Sequence, residues 1–199
     1  MKKIMFNDKY SLTQAVLDGR KTMTRRISKE QIRNSVFWKS GYESIHGYEI
    51  KPIYKISELV AIAQCYESLG MNPEIALNDR DGIGFYTKTK FAPGWKNKMF
   101  VRADLMLHHI RITNIKIERL QDISDEDCLR EGVELNTRQY EYDGTKKYCV
   151  CGLGHWRAIG CTDFDTPREA FAALIDKVSG KGTWESNPYV FVYEFELID

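Results

Sequence analysis

The chain has 199 residues, of which 43% are hydrophobic and 29% charged, a composition that excludes a disordered or fibrous chain and suits one core built without staples. Lys plus Arg is 29 against 28 for Asp plus Glu, yet the charges are segregated. Residues 1–55 hold 12 cations and 5 anions, 56–83 hold 1 and 5, 84–119 hold 8 and 2, and 120–199 hold 8 and 16. Two basic blocks can therefore build a basic face on a nearly neutral protein. No run of apolar residues is long enough to span a membrane, and Met1 to Phe6 turns polar too quickly for a secretory signal. Five cysteines form no disulfide framework, so a reducing cytoplasm is the expected setting.

In chain order, Ser11-Leu-Thr-Gln14 predicts a capping box, Leu12, Ala15 and Val16 an apolar stripe, and Gly19 a helix stop. Leu59 to Ala63 reads as a buried strand. In residues 108–118, Ile110 and Ile112 share one parity and Ile115 and Ile117 the other, which predicts a bulge or bend. Ser124 followed by Asp125, Glu126 and Asp127 predicts a capped helix stopped by Gly132. Thr166-Pro167-Arg168-Glu169 opens a longer helix, with Ala170, Phe171, Leu174, Ile175 and Val178 on one face and Gly180 at its end. Tyr189 to Leu197 alternates as a strand. Segments 67–98 and 133–163 show weak periodicity and read as loops or insertions. Few helices and several strands in irregular order predict an α+β fold with a small curved sheet or barrel.

Gly19-Arg20-Lys21-Thr22-Met23-Thr24-Arg25-Arg26 sets four cations and two hydroxyls just after a helix stop. Such groups suit a phosphate or ribose, and equally a solvated basic turn. Crowding by Arg20, Arg25 and Arg26 lowers the Lys21 pKa, and a neutral amine can activate a hydroxyl such as that of Thr24. Glu131 ends the acidic helix, where a carboxylate opposes the helix dipole and so invites a Lys partner or an acid–base role. Cys149, Cys151, His155 and Cys161 match no usual zinc spacing, so no metal site is expected, and no cofactor fingerprint is present. Phe85, Tyr86, Phe91, Trp95 and Phe100 interleave with Lys88, Lys90, Lys96, Lys98 and Arg102. That pattern suits nucleobase stacking with phosphate contact, or a loop with its lysines in water.

The Gly19–Arg26 run, the stretch from Ile112 to Ser124 up to Glu131-Gly132, and the ending Phe171-Ala-Ala-Leu-Ile175, Trp184-Glu-Ser-Asn-Pro188 to Phe195 together resemble the ASCH domain family, in its phage and prophage form. The resemblance covers about residues 11–26, 56–66, 99–132 and 164–198. It implies a single PUA-like domain over 1–199, a curved sheet or β-barrel with flanking helices, and insertions at about 67–98 and 133–163. It further implies a cleft facing RNA or a modified nucleoside. The small bacterial members are amidohydrolases that deacetylate N4-acetylcytidine, and their Lys, Thr and Glu fall here on Lys21, Thr24 and Glu131. Arg25 stands where those small enzymes carry an apolar residue. Arg20, Arg25, Arg26, Lys98 and Arg102 become the expected phosphate-binding cations. Two other readings remain open on the residues alone: a non-catalytic RNA-binding module, and a ribonuclease using the same basic cleft.

Overall fold

A computed structural model describes residues 1–28, 32–38, 41–70, 93–137, 141–142, 144–154 and 162–198. The fold is mixed α+β. Backbone contacts divide it into two compact units, one of Met1–Phe6, Leu59–Arg111 and Leu197–Asp199, the other of Asn7–Glu58 and Ile112–Glu196.

In the first unit, β1 (Lys2–Ile4) pairs in parallel with β6 (Leu59–Ile62), which pairs antiparallel with the start of β7 (His109–Arg119). The continuous apolar run at Leu59 is a strand because both its faces are covered: Val60, Ala61, Ile62 and Ala63 are fully buried. Ala61 packs with Tyr66, Val101 and Met106, and Trp95 lies half-buried against that cluster. Lys3 ties the 98–101 segment down by donating to the carbonyls of Lys98, Met99 and Val101.

In the second unit, β2 (Met23–Ile27) pairs antiparallel with β10 (Tyr189–Leu197), setting Thr24 opposite Tyr193 and Arg25 opposite Val192. The bond from Leu120 N–H to the Pro188 carbonyl holds the far end of β7 beside the start of β10. The strand order is β1-β6-β7-β10-β2, so among the described residues the sheet is open, with β1 and β2 as edges, rather than a closed barrel. Burial along β7 changes phase at Thr113–Asn114, both exposed, between buried Ile112 and buried Ile117. The Asn114 carboxamide oxygen accepts from the next backbone N–H there, which accounts for the parity switch read from the isoleucines. Three short strands, β3 (Ile32–Trp38), β4 (Gly41–Ser44) and β5 (Glu49–Ile50), form a separate antiparallel ladder. Within 133–163, β8 (Glu134–Leu135) pairs antiparallel with β9 (Tyr148–Cys149).

Three helix ends follow from local chemistry. The Ser124 hydroxyl accepts from Asp127 N–H at the start of α2 (Asp125–Arg130). Thr166 and Glu169 form a full capping box, with Pro167 opening α3 (Pro167–Ser179). Ala170, Phe171, Leu174 and Ile175 are its buried face, and Phe171 meets Trp184 of α4 (Thr183–Ser186) edge-on. Gly19 ends α1 (Leu12–Leu17) with φ +73 and donates to the Val16 carbonyl. The capping box expected at Ser11 does not form. Ser11 closes a preceding 3-10 turn in a left-handed conformation (φ 52), and its hydroxyl bonds Cys151 Sγ instead. Among the described residues no helix is long and apolar enough to cross a membrane.

Candidate functional site

Lys21 and Glu131 lie 110 residues apart in sequence and meet in the interior of the second unit. Beyond Gly19 the chain turns back, so that Lys21 N–H bonds the Ala15 carbonyl and Thr22 N–H bonds the Arg130 carbonyl. These bonds bring the start of β2 against the last turn of α2. Gly132, at φ +105, makes the approach possible: a Cβ there would stand 3.0 Å from Leu12 Cδ2 and 3.7 Å from Lys21 Cδ.

The Lys21 ammonium donates to Glu131 Oε2 at 2.6 Å and to the Glu131 carbonyl at 2.7 Å. The two residues are 2% and 4% exposed. A carboxylate at a helix C-terminus is unfavourable in isolation; here two cations hold it, Lys21 on Oε2 and Arg25 on Oε1 at 3.2 Å. Arg25 also bonds Glu118 of β7 and Asp127 of α2. Lys116 lies on Glu118 at 2.9 Å, and Arg130 on Glu194 at 2.8 Å.

Burial is the first cause that pushes the Lys21 amine below its ordinary value of 10.5. Glu131 opposes it, and the positive charges of Arg26 and Arg25 act with it. Crowding was the expected cause, and it acts in that direction but behind desolvation. The Arg20 guanidinium pairs with Asp18 and Glu134.

The lowered value has a consequence for stability. Between the folded value and 10.5 the unfolded chain binds the proton that the folded chain has lost, so the wild type gains stability as pH rises through that window. A Lys21→Met variant lacks this contribution. The difference in urea unfolding free energy, wild type minus variant, is therefore expected to increase with pH on the approach to 10.5. A difference that stays flat or falls would show that the amine does not titrate early.

Thr24 is buried, at 5% exposure, on β2. Strand alternation sets Thr24 and Arg26 with Tyr193 and Phe191 on one face, and Met23 and Arg25 on the other. Tyr193 meets Tyr54 edge-on at 5.1 Å, and its hydroxyl accepts from Ile53 N–H. The structure thus joins Lys21 to Glu131 and sets Thr24 on the tyrosine face. Lys21 precedes β2 and is not bound by its alternation.

The cations expected to hold phosphate are found with other partners. Arg25 is the clearest case, because its buried guanidinium faces three carboxylates rather than solvent. Arg102 forms an exposed pair with Asp104, and Lys98 donates to the Phe6 carbonyl. Arg26 is half-buried on β2. Trp95 packs into its apolar cluster and Phe100 is exposed, while Phe85, Tyr86, Lys88, Lys90 and Phe91 lie outside the described residues, as do His155 and Cys161. Cys149 and Cys151 are free thiols, and burial pushes the Cys128 thiol up to about 12, which denies the cluster a thiolate neighbour.

Sequence reasoning missed Glu118, a strand residue with no local signal. Asp127 was legible only as a helix-start acid. Its spacing from Glu131, four residues on a helix, was the available sign that both carboxylates share one face.

The arrangement defines a class of site: a buried lysine–carboxylate pair between the entry to an edge strand and the end of a short acidic helix, in an α+β protein. Comparison of the chain with protein-family models, with curated proteins and with solved structures found no match.

Proposed function

We propose that the chain is an ASCH-type protein of PUA-like fold that hydrolyses the amide of an N4-acylated cytidine-type nucleoside. One observation carries the reading. Lys21 and Glu131, singled out separately as a crowded amine and a misplaced carboxylate, are 2.6 Å apart in a buried pair. Burial lowers the pKa of the Lys21 amine, the direction that favours the neutral form a general base requires.

In this mechanism the Thr24 hydroxyl attacks the amide carbonyl carbon while the Lys21 amine takes its proton. The carbon–nitrogen bond breaks, and the proton passes from Lys21 through the Glu131 carboxylate to the leaving exocyclic amine. Water then attacks the acyl ester while Lys21 takes a proton from it, the acyl carbon–oxygen bond to Thr24 breaks, and Lys21 returns that proton to the Thr24 oxygen as the free acid leaves.

The test is incubation of the purified protein with N4-acetylcytidine, followed by chromatography for released cytidine. Lys21→Ala is expected to lower turnover about 10²- to 10⁴-fold, the range for losing a general base. Absence of cytidine from the wild type sinks the hydrolase. A second reading draws on the bond from Lys21 to the Glu131 carbonyl, which closes the end of α2 and is a structural use of the amine. On that reading the chain is a non-catalytic RNA-binding module, recognised by binding that weakens steeply with salt and by no turnover.

A further inference from the structure

Arg25 is bonded directly to the carboxylate of the Lys21–Glu131 pair, and the proposed chemistry gives it no task. Its side chain is 1% exposed, and each of its five N–H groups has an acceptor. Nε donates to Glu118 Oε1 at 3.0 Å. Nη2 donates to the same oxygen at 2.6 Å and to Asp127 Oδ2 at 2.9 Å. Nη1 meets Met23 Sδ at 3.1 Å and Glu131 Oε1 at 3.2 Å.

The two oxygens of Glu131 are therefore divided between two cations, Oε1 to Arg25 and Oε2 to Lys21. A carboxylate held by one oxygen alone can rotate and offer both to a single amine. The planar guanidinium, anchored on β7 by Glu118 and on α2 by Asp127, removes that freedom. The geometry points to Arg25 as the positioning residue of the Lys21–Glu131 pair, holding Glu131 by Oε1 so that only Oε2 meets the amine. This rests on the reading of Lys21 as the base of an amide hydrolase.

Among the described residues, the charged groups around the pair come from four elements. Arg25 and Arg26 come from β2, Glu118 and Lys116 from β7, Asp127, Arg130 and Glu131 from α2 and its end, and Glu194 from β10. Of these, Arg25 alone is bonded to the carboxylate that Lys21 uses. Releasing Oε1 turns the whole Glu131 charge toward Lys21 and favours the ammonium. Loss of Arg25 also removes a cation that disfavours it.

Two variants test this, Arg25→Gln and Arg25→Lys. The second keeps the charge but not the five-donor fork, and one ammonium cannot serve Glu118, Asp127 and Glu131 together. The primary readout is the titration of Lys21, followed in the full chain by NMR of its Cε and Nζ. The expected result in both variants is a midpoint raised by about one pH unit relative to wild type. A clamp that only holds β2 to α2 would leave the midpoint of a folded variant where it was. An unmoved midpoint in folded Arg25→Lys overturns the assignment, and so does loss of folding in both variants, which leaves a purely structural clamp.

The second readout is the dependence of kcat/KM on pH with N4-acetylcytidine. Its rising limb is expected to move upward with the Lys21 midpoint, with KM little changed. Should the wild type release no cytidine, the hydrolase reading falls, and the NMR titration still decides whether Arg25 governs the pair.

Discussion

Glu131→Ala is expected to lower the unfolding free energy by about 3–5 kcal/mol, the cost of leaving a buried charge without its partner. The variant leaves Lys21 at 2% exposure with a single remaining acceptor of those seen here on residue 131, its carbonyl, and frees one N–H of Arg25. Exposed ion pairs elsewhere in the chain, such as Arg102 with Asp104, contribute little, because water competes for both partners. The contrast between the two sites is the point of the measurement. Arg102→Ala serves as the surface control in urea unfolding, and Glu131→Ala should exceed it severalfold. A double variant Lys21→Met, Glu131→Leu removes both charges together. It should recover much of the loss, since apolar groups of similar volume replace a buried pair at little cost. A cost below about 1 kcal/mol for Glu131→Ala would mean that the pair is wet in solution and not the buried unit described.

The same variant bears on why α2 exists. A helix of six residues is unstable alone, because nucleation outweighs so few bonds. Its Ser124 cap, the buried Cys128 and the clamps from Lys21 and Arg25 supply what length does not. Acidic residues in its first turn suit the helix dipole, while Glu131 at the other end opposes it and is retained by two cations. An isolated carboxylate at that position would be a defect. Paired with Lys21, it becomes the means of attaching the helix to the edge strand.

What the sequence showed and what it hid divide along the same line, between local chemistry and distant partners. Thr166, Pro167 and Glu169 act within one helical turn, and the structure contains the capping box they encode. The alternation of Tyr189 to Leu197 is likewise local, and β10 spans those residues. At Ser11 the same kind of signal misleads, because Asn7 already caps a 3-10 turn that Ser11 has to close. β2 was hidden for a different reason: its buried positions include Arg25, so a search for alternating apolar residues finds none. The burial of Lys21 and Arg25 depends on Glu118, Asp127 and Glu131, which lie at least 93 residues away in sequence. The oddity of Glu131 at a helix end was visible without a structure; its partners were not.

Gly152→Ala is expected to destabilise the protein by about 3 kcal/mol or more, the sum of a left-handed backbone forced on a non-glycine residue and a side chain driven into packed backbone. Gly152 has φ +79, and a Cβ there would stand 2.2 Å from the Lys9 carbonyl oxygen and 3.3 Å from its carbon. Neither atom can turn aside as a flexible side chain would. The turn carrying Gly152 follows β9, and its neighbours Val150 and Leu153 are buried. Cys151 on the same turn takes the Ser11 hydroxyl, the contact that replaces the expected helix cap. The turn therefore seats on the 3-10 turn Asp8–Tyr10 that leads into α1, and α1 in turn delivers Lys21 to Glu131 through the bond from Lys21 N–H to Ala15. Displacing residue 152 should accordingly loosen the entry to α1. Backbone hydrogen exchange is the measurement: Ala15-to-Lys21 amides should lose protection in Gly152→Ala together with the turn itself, while those of α3 lose only what global destabilisation dictates. In Gly144→Ala, at φ +74 with open space around the added carbon, the backbone strain is present without the collision, so a smaller loss isolates the contact with Lys9. Equal losses in the two variants would assign the whole effect to backbone conformation and none to the seating of the turn.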